Sequence, residues 1–237
     1  MLSKEKKLHP SVQFHEDIAN QWEKKYHKHT FNKRLGSLLS LLDGIDLPSS
    51  KILDAGCGTG TITKKVVDYG CSAVGVDASP AMIERAAGLS NNYKNSDSIS
   101  FKLIDTIAEL PFEDNSFDGV ICSSVLEYTD EPDKIIKEFN RVIKYDGFFL
   151  VTVPYKASLL RRLQAGCFRL TKFLRLKPYP VYLLYSRHQF YKQDIITILE
   201  KNGFRVTRLK YGGLGLPDCL NRVPMLETMI MLLAVKR

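Results

Sequence analysis

A glycine-rich turn between a buried strand and a helix most constrains the fold of this chain. Residues 51–60 read KILDAGCGTG, in which an apolar run ends at Asp54. Three glycines then alternate along the turn, at Gly56, Gly58 and Gly60. This spacing lets the backbone pass close to a ligand in conformations that a Cβ would forbid. The dinucleotide fingerprint G-x-G-x-x-G has its third glycine one residue later, where this chain has Thr61. The acid before the first glycine also favours a cationic ligand over a phosphate.

Short apolar runs alternate with helical patterns along the rest of the chain. Strands are predicted over residues 51–54, 72–76, 99–104, 117–122, 147–153, 204–209 and 229–235. Helices are predicted over residues 11–26, 31–42, 59–68, 79–87, 132–142 and 192–201. This alternation implies a doubly wound, mostly parallel α/β sheet. Ligands of such sheets bind at the carboxyl ends of the strands, where the strand order reverses. One crevice is therefore expected to collect the residues that end strands: Asp54, Asp77, Asp105 and Ser123.

The glycine turn and its companions resemble the class I S-adenosylmethionine-dependent methyltransferases. LDAGCGTG is similar to the first motif of that family, and SAVGVD supplies an acid, Asp77, at the end of the second strand. Residues 99–153 continue the resemblance through FKLID, ELPFEDNSFDGVICSSVLEYTDEP and RVIKYDGFFLVTVP. The likeness is greatest to the branch that includes ubiquinone and menaquinone methyltransferases. It covers residues 14–153 well and is weaker beyond them.

The resemblance implies a Rossmann-like, seven-stranded sheet of order 3-2-1-4-5-7-6 with strand seven antiparallel. It also implies S-adenosylmethionine as the cofactor. The 237 residues are expected to form one methyltransferase domain, with a helical lid inserted after strand five. The predicted parts are N-terminal helices at 11–43, a cofactor-binding core at 51–153, a basic amphipathic lid at 155–187, and a C-terminal helix and strands at 191–237.

Asp77 is the residue most directly implied in cofactor binding. Its carboxylate would accept both ribose hydroxyls as charge-assisted hydrogen bonds, and the alternative is a helix-capping acid beside Ser79. Met82 is expected either to pack against the adenine or to fill the core. Asp105 is expected to reach the adenine amino group, and the alternative is an acid of a surface loop. Cys57 is expected to be a small, buried packing residue of the turn. The full set predicted around the cofactor is Trp22, Asp54, Gly56, Cys57, Gly58, Gly60, Asp77, Ala78, Met82, Asp105, Thr106 and Ser123.

Three aromatic or imidazole side chains are interpreted as lining the site. Trp22, in FHEDIANQW, stands where the family commonly has Tyr, so it either covers the cofactor or packs in the core. Tyr128, in SSVLEY, takes the place of a His in related chains. It is expected to line the acceptor side, since a Tyr pKa of about 10 makes a poor base. His188, in SRHQF, is predicted to open the next helix, as a general base or as a structural residue. His27 and His29 point to different sides of a helix, and no metal site is predicted.

The positive charge is concentrated in one segment. The chain has a formal net charge of +8, and residues 155–187 hold eight Lys or Arg and no Asp or Glu. Wound as a helix, residues 158–175 place the following on one, apolar face: Leu159, Leu160, Leu163, Cys167, Leu170, Phe173 and Leu174. The other face is predicted to carry Arg161, Arg162, Arg169, Lys172 and Arg175. A basic amphipathic helix is typical of membrane-surface contact. The alternative is a cap whose apolar face packs on the core.

These observations predict methyl transfer from S-adenosylmethionine to a small, hydrophobic or lipid-linked acceptor, such as a quinone precursor, by O- or C-methylation. One alternative is a nucleic-acid methyltransferase, but CSSVLEY replaces the N/D-P-P-Y motif of the adenine branch, and no nucleic-acid partner is expected. Another is a non-catalytic protein that binds the cofactor. Scattered cysteines, no apolar run of spanning length and no signal-peptide pattern predict a cytoplasmic protein. Peripheral attachment to an anionic membrane surface is predicted through residues 156–177.

Overall fold

A seven-stranded sheet organises the computed structural model, which describes residues 8–21, 28–213 and 224–237. The strands are β1 (Lys51–Ala55), β2 (Ser72–Asp77), β3 (Ile99–Leu103), β4 (Phe117–Ser123), β5 (Ile143–Pro154), β6 (Phe204–Gly212) and β7 (Met229–Lys236). The helices are α1 (Pro10–Ile18), α2 (Lys28–Leu39), α3 (Thr61–Val66), α4 (Pro80–Ser90), α5 (Pro132–Val142), α6 (Leu159–Phe173) and α7 (Lys192–Lys201). Short 3-10 turns extend α1, α2 and α3 at Ala19–Gln21, Ser40–Leu42 and Val67–Tyr69.

The strand order is β3-β2-β1-β4-β5-β7-β6. Strands β1 to β5 pair in parallel, and β7 runs antiparallel to both β5 and β6. The predicted Rossmann-like order with an antiparallel seventh strand is therefore confirmed. The order reverses between β1 and β4, and sheets of this kind bind their ligands above the carboxyl ends of the strands at that point.

Apolar side chains cover both faces of the sheet. Successive residues of a strand point to opposite faces, and Ile52 and Leu53 of β1 accordingly enter two different buried clusters. Helices α5 and α7 close one cluster, with Phe139 and Leu199 fully buried. Helix α2 and the turn after it close the other, with Leu41 at 1% exposure. Each such side chain stabilises the fold by roughly 1.5–3 kcal/mol, so the strand ends that carry the site are firmly placed.

Three of the element boundaries that differ from their predicted positions have a local cause in the backbone. Helix α3 begins at Thr61 and not at residue 59, because Gly60 has a left-handed φ of 71° that no helix contains. Helix α4 continues to Ser90 beyond the predicted end near residue 87, and the backbone N–H of Asn91 still bonds to Ala87. Strand β5 begins at Ile143 and not at residue 147, because Ile143 pairs with β4 before an irregularity in the ladder.

Residues 155–187, which we call the insertion, leave the sheet after β5 and return to the same place. Tyr155 forms a parallel bridge with Phe190. The N–H of Lys156 donates to the Phe190 carbonyl at 2.9 Å, and the N–H of Phe190 donates to the Pro154 carbonyl at 3.0 Å. Helix α6 starts inside this closed loop, where the Ser158 side chain accepts a hydrogen bond from the Arg161 N–H. The insertion is therefore pinned at its base.

Candidate active site

The glycine turn is fixed to β2 and to the loop after β4. The N–H groups of Gly56 and Cys57 both donate to the Val76 carbonyl, at 2.8 and 2.9 Å. A Cβ on Gly56 would lie 2.4 Å from a methyl group of Val125, so no larger residue fits there. Gly58 has a φ of +52°, and among the described residues only the Met82 sulfur lies near its missing Cβ, at 3.9 Å. The turn is closed on one side and leaves open space above Gly58.

Asp77 sits beside that open space at the end of β2. Its Oδ2 accepts a hydrogen bond from the Gly58 N–H and its Oδ1 one from the Ser79 N–H, both at 2.9 Å. Burial raises the pKa of Asp77, against these backbone hydrogen bonds. A carboxylate has about four acceptor sites, so two remain for the hydroxyls of a ligand.

Asp54 precedes the turn and Cys57 belongs to it, and both side chains are buried. The Asp54 side chain is 1% exposed and accepts a hydrogen bond of 2.6 Å from the Thr63 hydroxyl of α3. Burial raises the pKa of Asp54 to about 7. Cys57 is buried, and burial raises the pKa of its thiol well above the ordinary value. A thiol in that state is a packing group and a poor nucleophile, which agrees with the interpretation from sequence.

Helix α1 closes the site near the start of α4, which sequence analysis missed. Ser79 caps α4 by accepting from the Met82 N–H at 3.1 Å. Its hydroxyl donates to Glu16 Oε2 at 2.5 Å, and the same oxygen accepts from the Ala81 N–H at 3.1 Å. A carboxylate at a helix N-terminus is favoured by the helix dipole. Glu16 and Ser79 are 63 residues apart, so no local pattern signals the contact.

His15 of α1 is a second residue that the sequence did not single out. Its Nδ1–H donates to the Ser11 carbonyl at 2.7 Å, and its ring meets Tyr128 edge-on with centroids 5.0 Å apart. Burial lowers the pKa of His15, while the charge of Asp77 raises it. Helix α1 thus lies between Asp77 and the loop after β4. Trp22, the predicted cover of the cofactor, lies outside the described residues.

The remaining predicted cofactor residues differ in how far they are exposed to solvent. Met82 is 1% exposed beneath Gly58. Asp105 and Thr106 are exposed beyond β3, and the Thr106 hydroxyl accepts from the Ala108 N–H at 3.1 Å. Ala78 is partly buried after Asp77. Ser123 ends β4, with its hydroxyl 3.2 Å from that of Thr152. The predicted residues at the ends of β1, β2 and β4 are therefore buried or partly buried, and those after β3 are exposed.

The loop after β4 also receives groups from distant elements. Arg34 of α2 donates to the Ser124 hydroxyl at 3.1 Å. The Glu127 carbonyl accepts from the N–H groups of Arg187 and His188, at 2.7 and 3.3 Å. His188 does not open a helix, which corrects the prediction. Residues 186–189 have no regular secondary structure, Phe190 forms an isolated bridge with Tyr155, and α7 begins only at Lys192.

The orientation of α6 also corrects the prediction for Arg161. Arg161 is not on a solvated face: it is 9% exposed, and its Nε donates to the Thr228 carbonyl at 2.6 Å. Its Nη2 lies 3.1 Å from the Met229 sulfur. The guanidinium therefore anchors α6 to the start of β7. The predicted apolar face points the other way, and Leu163 and Phe173 are 67% and 83% exposed.

The described ranges hold neither a candidate metal site nor a membrane-spanning helix. Within residues 8–21, 28–213 and 224–237, no group of three or more His, Cys, Asp and Glu side chains could hold a metal ion. In the same ranges, no helix has both the length and the apolar character needed to cross a membrane.

A crevice over the β1–β4 reversal, with a glycine turn on one wall and an acid after β2, defines a Rossmann-like, cofactor-binding enzyme. A family model described as a methyltransferase domain matches residues 53–151. The chain is 30% identical over 184 residues to a demethylmenaquinone methyltransferase of Tropheryma whipplei (strain Twist), covering 72% of this chain and 74% of that protein. It is 28% identical over 113 residues to a ubiquinone biosynthesis O-methyltransferase of Xanthomonas oryzae pv. oryzae, covering 46% and 45%.

A solved structure extends the likeness over nearly the whole chain. Magnesium protoporphyrin IX methyltransferase from Synechocystis PCC 6803, with bound SAH (S-adenosylhomocysteine), superposes with a TM-score of 0.64 at 21% identity. The match covers 99% of this chain and 90% of that one. The chain belongs to the class I S-adenosylmethionine-dependent methyltransferases.

The cofactor of that family fits the crevice on the chain's own features. Among the described residues, a Cβ at Gly58 would have no neighbour closer than the Met82 sulfur at 3.9 Å, so none of them crowds the turn beside Asp77. Asp77 has acceptor capacity left for two ribose hydroxyls. The cofactor is S-adenosylmethionine.

Proposed function

We propose that this enzyme methylates a small apolar or lipid-linked acceptor that carries an ionisable hydroxyl or an activated ring carbon. We further propose that it takes this acceptor from an anionic lipid surface, which the insertion contacts. The observation that carries the proposal is the outward-facing apolar side of α6, flanked by cations and free of acids. The similar proteins named for demethylmenaquinone and ubiquinone support a quinone-like acceptor.

The exposed apolar surface is concentrated in the insertion. Nine of the fifteen large apolar side chains that are exposed among the described residues lie in residues 159–184. These nine are Leu159, Leu163, Leu170, Phe173, Leu174, Leu176, Tyr179, Val181 and Leu184. Contiguous apolar surface of this kind marks interaction sites on soluble proteins. An ordinary cap helix would turn its apolar face inward, whereas α6 uses Arg161 as its buried anchor.

The charge of the insertion selects an anionic lipid surface as the partner. Arg162, Arg169 and Lys172 are exposed on α6, and residues 155–187 contain no acid that could repel a negatively charged leaflet. Each cation near such a leaflet contributes about 1 kcal/mol. Leucine and phenylalanine side chains inserted at the headgroup boundary would add apolar burial.

The insertion also reaches the acceptor side of the crevice. Tyr182 donates to Gln164 of α6 at 2.8 Å, which folds the chain after α6 back along the helix. Tyr185 then stacks on Phe14 of α1, with ring centroids 4.7 Å apart. The same segment thus connects the exposed apolar side to the loop after β4. An acceptor held at the lipid surface has a short route to the site.

Methyl transfer requires little covalent chemistry from the protein itself. When bound, S-adenosylmethionine supplies a methyl group that is already activated on a sulfonium. The chain's residues have to align the acceptor and exclude water, and orientation alone contributes roughly 7–11 kcal/mol. We propose that Tyr128 lines the acceptor side and that His188 takes the proton of the acceptor hydroxyl at Nε2.

A transfer assay in vesicles tests this function. The protein is incubated with S-adenosylmethionine labelled in its methyl group and with a prenylated catechol or a prenylated, reduced naphthoquinone in anionic vesicles. Matched acceptors without the prenyl tail serve as controls. We expect label in solvent-extractable product, with kcat/KM at least about tenfold higher for the tailed acceptors because their tails bury additional CH2 groups at the surface.

The outcomes separate acceptor class from lipid dependence. Equal kcat/KM for tailed and untailed acceptors would contradict the lipid-linked class. Label appearing in added RNA or DNA, with none in the organic extract, would contradict a small-molecule acceptor altogether.

A further inference from the structure

A chain of hydrogen bonds runs from α1 through Ser79 to the acid that follows β2. The Ser79 hydroxyl donates to Glu16 Oε2 at 2.5 Å, and the Ser79 N–H donates to Asp77 Oδ1 at 2.9 Å. The other carboxylate oxygen of Asp77 accepts from the Gly58 N–H at 2.9 Å. Ser79 is 0% exposed, so water does not compete for either of its donors. The position of Asp77 therefore depends on a residue that Glu16 holds in place.

The contact of Glu16 with α4 is additional to the ordinary cap of that helix. Ser79 already caps α4, because its side chain accepts from the Met82 N–H at 3.1 Å. Glu16 adds a carboxylate from another helix, and its Oε2 also accepts from the Ala81 N–H at 3.1 Å. The dipole of α4 favours a negative charge at this end. The added contact joins α1 to the place where Asp77 is held.

Helix α1 takes little part in the apolar core. Among the described residues, neither of the two buried clusters includes a member of Pro10–Ile18. Its contacts with other elements include the stacking of Phe14 on Tyr185 and the edge-on meeting of His15 with Tyr128. Segments with few buried apolar contacts open at a lower free energy than the core does. A ligand in the crevice can therefore shift the docking of α1.

His15, the neighbour of Glu16, acts on the same acid through its charge. Burial raises the pKa of Asp77, and the hydrogen bonds from the Ser79 and Gly58 N–H groups lower it. The charge of His15 lowers it further. Docked α1 thus favours the ionised form of Asp77 by two routes, through Ser79 and through His15. An ionised carboxylate accepts stronger hydrogen bonds from hydroxyl groups than a neutral one does.

We propose that Glu16 is a positioning residue for the ribose of the cofactor, acting through Ser79 on Asp77 and coupling the docking of α1 to occupation of the crevice. Its role is indirect, since its Oε2 accepts from Ser79 and Ala81. Docked α1 holds Asp77 for the ribose hydroxyls, and bound ribose favours docked α1, because coupling between two sites is reciprocal. The assignment rests on the placement of the ribose at Asp77 and is independent of the acceptor.

Calorimetric binding of two ligands separates positioning from a merely structural contact. SAH is compared with dideoxy-SAH, in which both ribose hydroxyls are replaced by hydrogen. Glu16→Ala should bind SAH about tenfold more weakly, because it loses part of the stabilisation that hydrogen bonds to a charged group provide. It should bind dideoxy-SAH as the wild type does, to within about twofold. Glu16→Gln keeps an acceptor oxygen on its side chain and should recover most of the SAH affinity.

A matched control and a double substitution accompany this comparison. Asp17→Ala removes the next carboxylate of α1, which is exposed and accepts from Gln13 of the same helix at 2.8 Å. It should bind both ligands as the wild type does. In an Asp77→Asn background, Glu16→Ala should weaken SAH binding by less than about twofold more, because residues that act through one contact are not additive. Equal weakening of both ligands by Glu16→Ala, or full additivity with Asp77→Asn, would overturn the proposal.

Hydrogen exchange in the wild type tests the coupling without a substitution, and it decides the matter even if Glu16→Ala fails to fold. Saturating SAH should slow amide exchange in residues 10–18 by about threefold or more, and saturating dideoxy-SAH should slow it less. Exchange in α1 that SAH leaves unchanged, or that both ligands slow equally, would overturn the proposal.

The variants also distinguish this assignment from the placement on which it rests. Weaker SAH binding in Asp77→Asn with wild-type binding in Glu16→Ala would overturn the role of Glu16 alone. Wild-type SAH affinity in both variants would overturn the placement of the ribose at Asp77, and the role of Glu16 with it.

Discussion

Asp54 is a buried acid whose environment favours its protonated form. The side chain is 1% exposed and accepts a hydrogen bond from the Thr63 hydroxyl. Burial raises its pKa from 3.8 to about 7, against hydrogen bonds from the side chain and backbone of Thr63. Between these pH values the folded state holds a proton that the unfolded state has released. The free energy of unfolding therefore falls as the pH rises through this window. A cationic ligand above the turn would favour the charged form instead.

Replacing Asp54 by Asn should remove this loss of stability in the cofactor-free protein. We expect Asp54→Asn to raise Tm at pH 8 by roughly 3–8 °C, since 1 kcal/mol shifts Tm by about 2–4 °C in a domain of this size. The gain should shrink towards pH 4, where Asp54 is neutral in the folded wild type and only partly ionised in the unfolded state. Thermal unfolding followed by circular dichroism at pH 4 to 8 measures it.

The matched control is Asp97→Asn at an exposed position, which should leave the profile of Tm against pH unchanged. A lower Tm for Asp54→Asn at pH 8 would show that the charged carboxylate stabilises the free fold, contrary to this account.

Sequence reasoning found the residues of the site whose role is set by backbone geometry. Gly56, Gly58 and Asp77 follow from strand–turn–helix spacing, which is local. Glu16 and His15 were missed because their roles depend on contacts between segments far apart in the chain, such as the 63-residue separation of Glu16 and Ser79. The cofactor roles of all the predicted residues, Gly58 and Asp77 included, stay predictions.

At the level of elements, α6 shows what helical periodicity does and does not determine. The sequence pattern separates an apolar side from a cationic side, yet Arg161 of the cationic side is buried while Arg162 and Arg169 of that side are exposed. It carries no information on which side packs against the sheet, and Arg161 decides this by bonding to the Thr228 carbonyl. The apolar side is left exposed. The orientation of α6 therefore accounts both for the buried Arg161 and for the exposed leucines.

Removing two exposed charges of α6 should weaken binding to anionic vesicles. Arg162→Gln with Arg169→Gln removes two cations of about 1 kcal/mol each. We expect roughly 30-fold weaker sedimentation with vesicles rich in phosphatidylglycerol, and added salt should have a similar effect on the wild type because it screens surface charge. Arg161 is left in place because it anchors the helix.

The control for charge is Lys134→Gln with Lys137→Gln on the exposed side of α5, which changes net charge equally and should bind as the wild type does. The control for apolar contact compares Phe173→Ser with Leu89→Ser, an exposed leucine on α4. Equal binding by all these proteins, or no binding by the wild type, would contradict contact of α6 with a membrane surface and leave it as an ordinary cap helix.

For the whole molecule, the order of the sheet was predictable and the assembly around it was not. Alternating strands and helices, together with the family resemblance, predict the order 3-2-1-4-5-7-6 that the chain adopts. The docking of α1 onto α4, and the return of the insertion onto the loop after β4, depend on side-chain contacts with no sequence period. Those two contacts give the crevice its walls.

The central claim is that S-adenosylmethionine binds in the crevice between Gly58 and Asp77. Calorimetric titration with SAH tests it most directly, comparing the wild type with Asp77→Asn and with Asp97→Asn as the control. Hydrogen bonds to a charged group contribute about 1.5–3 kcal/mol, so Asp77→Asn should bind SAH roughly 10- to 150-fold more weakly while its circular dichroism spectrum is unchanged. The control should keep wild-type affinity. Equal SAH affinity in a folded Asp77→Asn protein would contradict the placement of the cofactor.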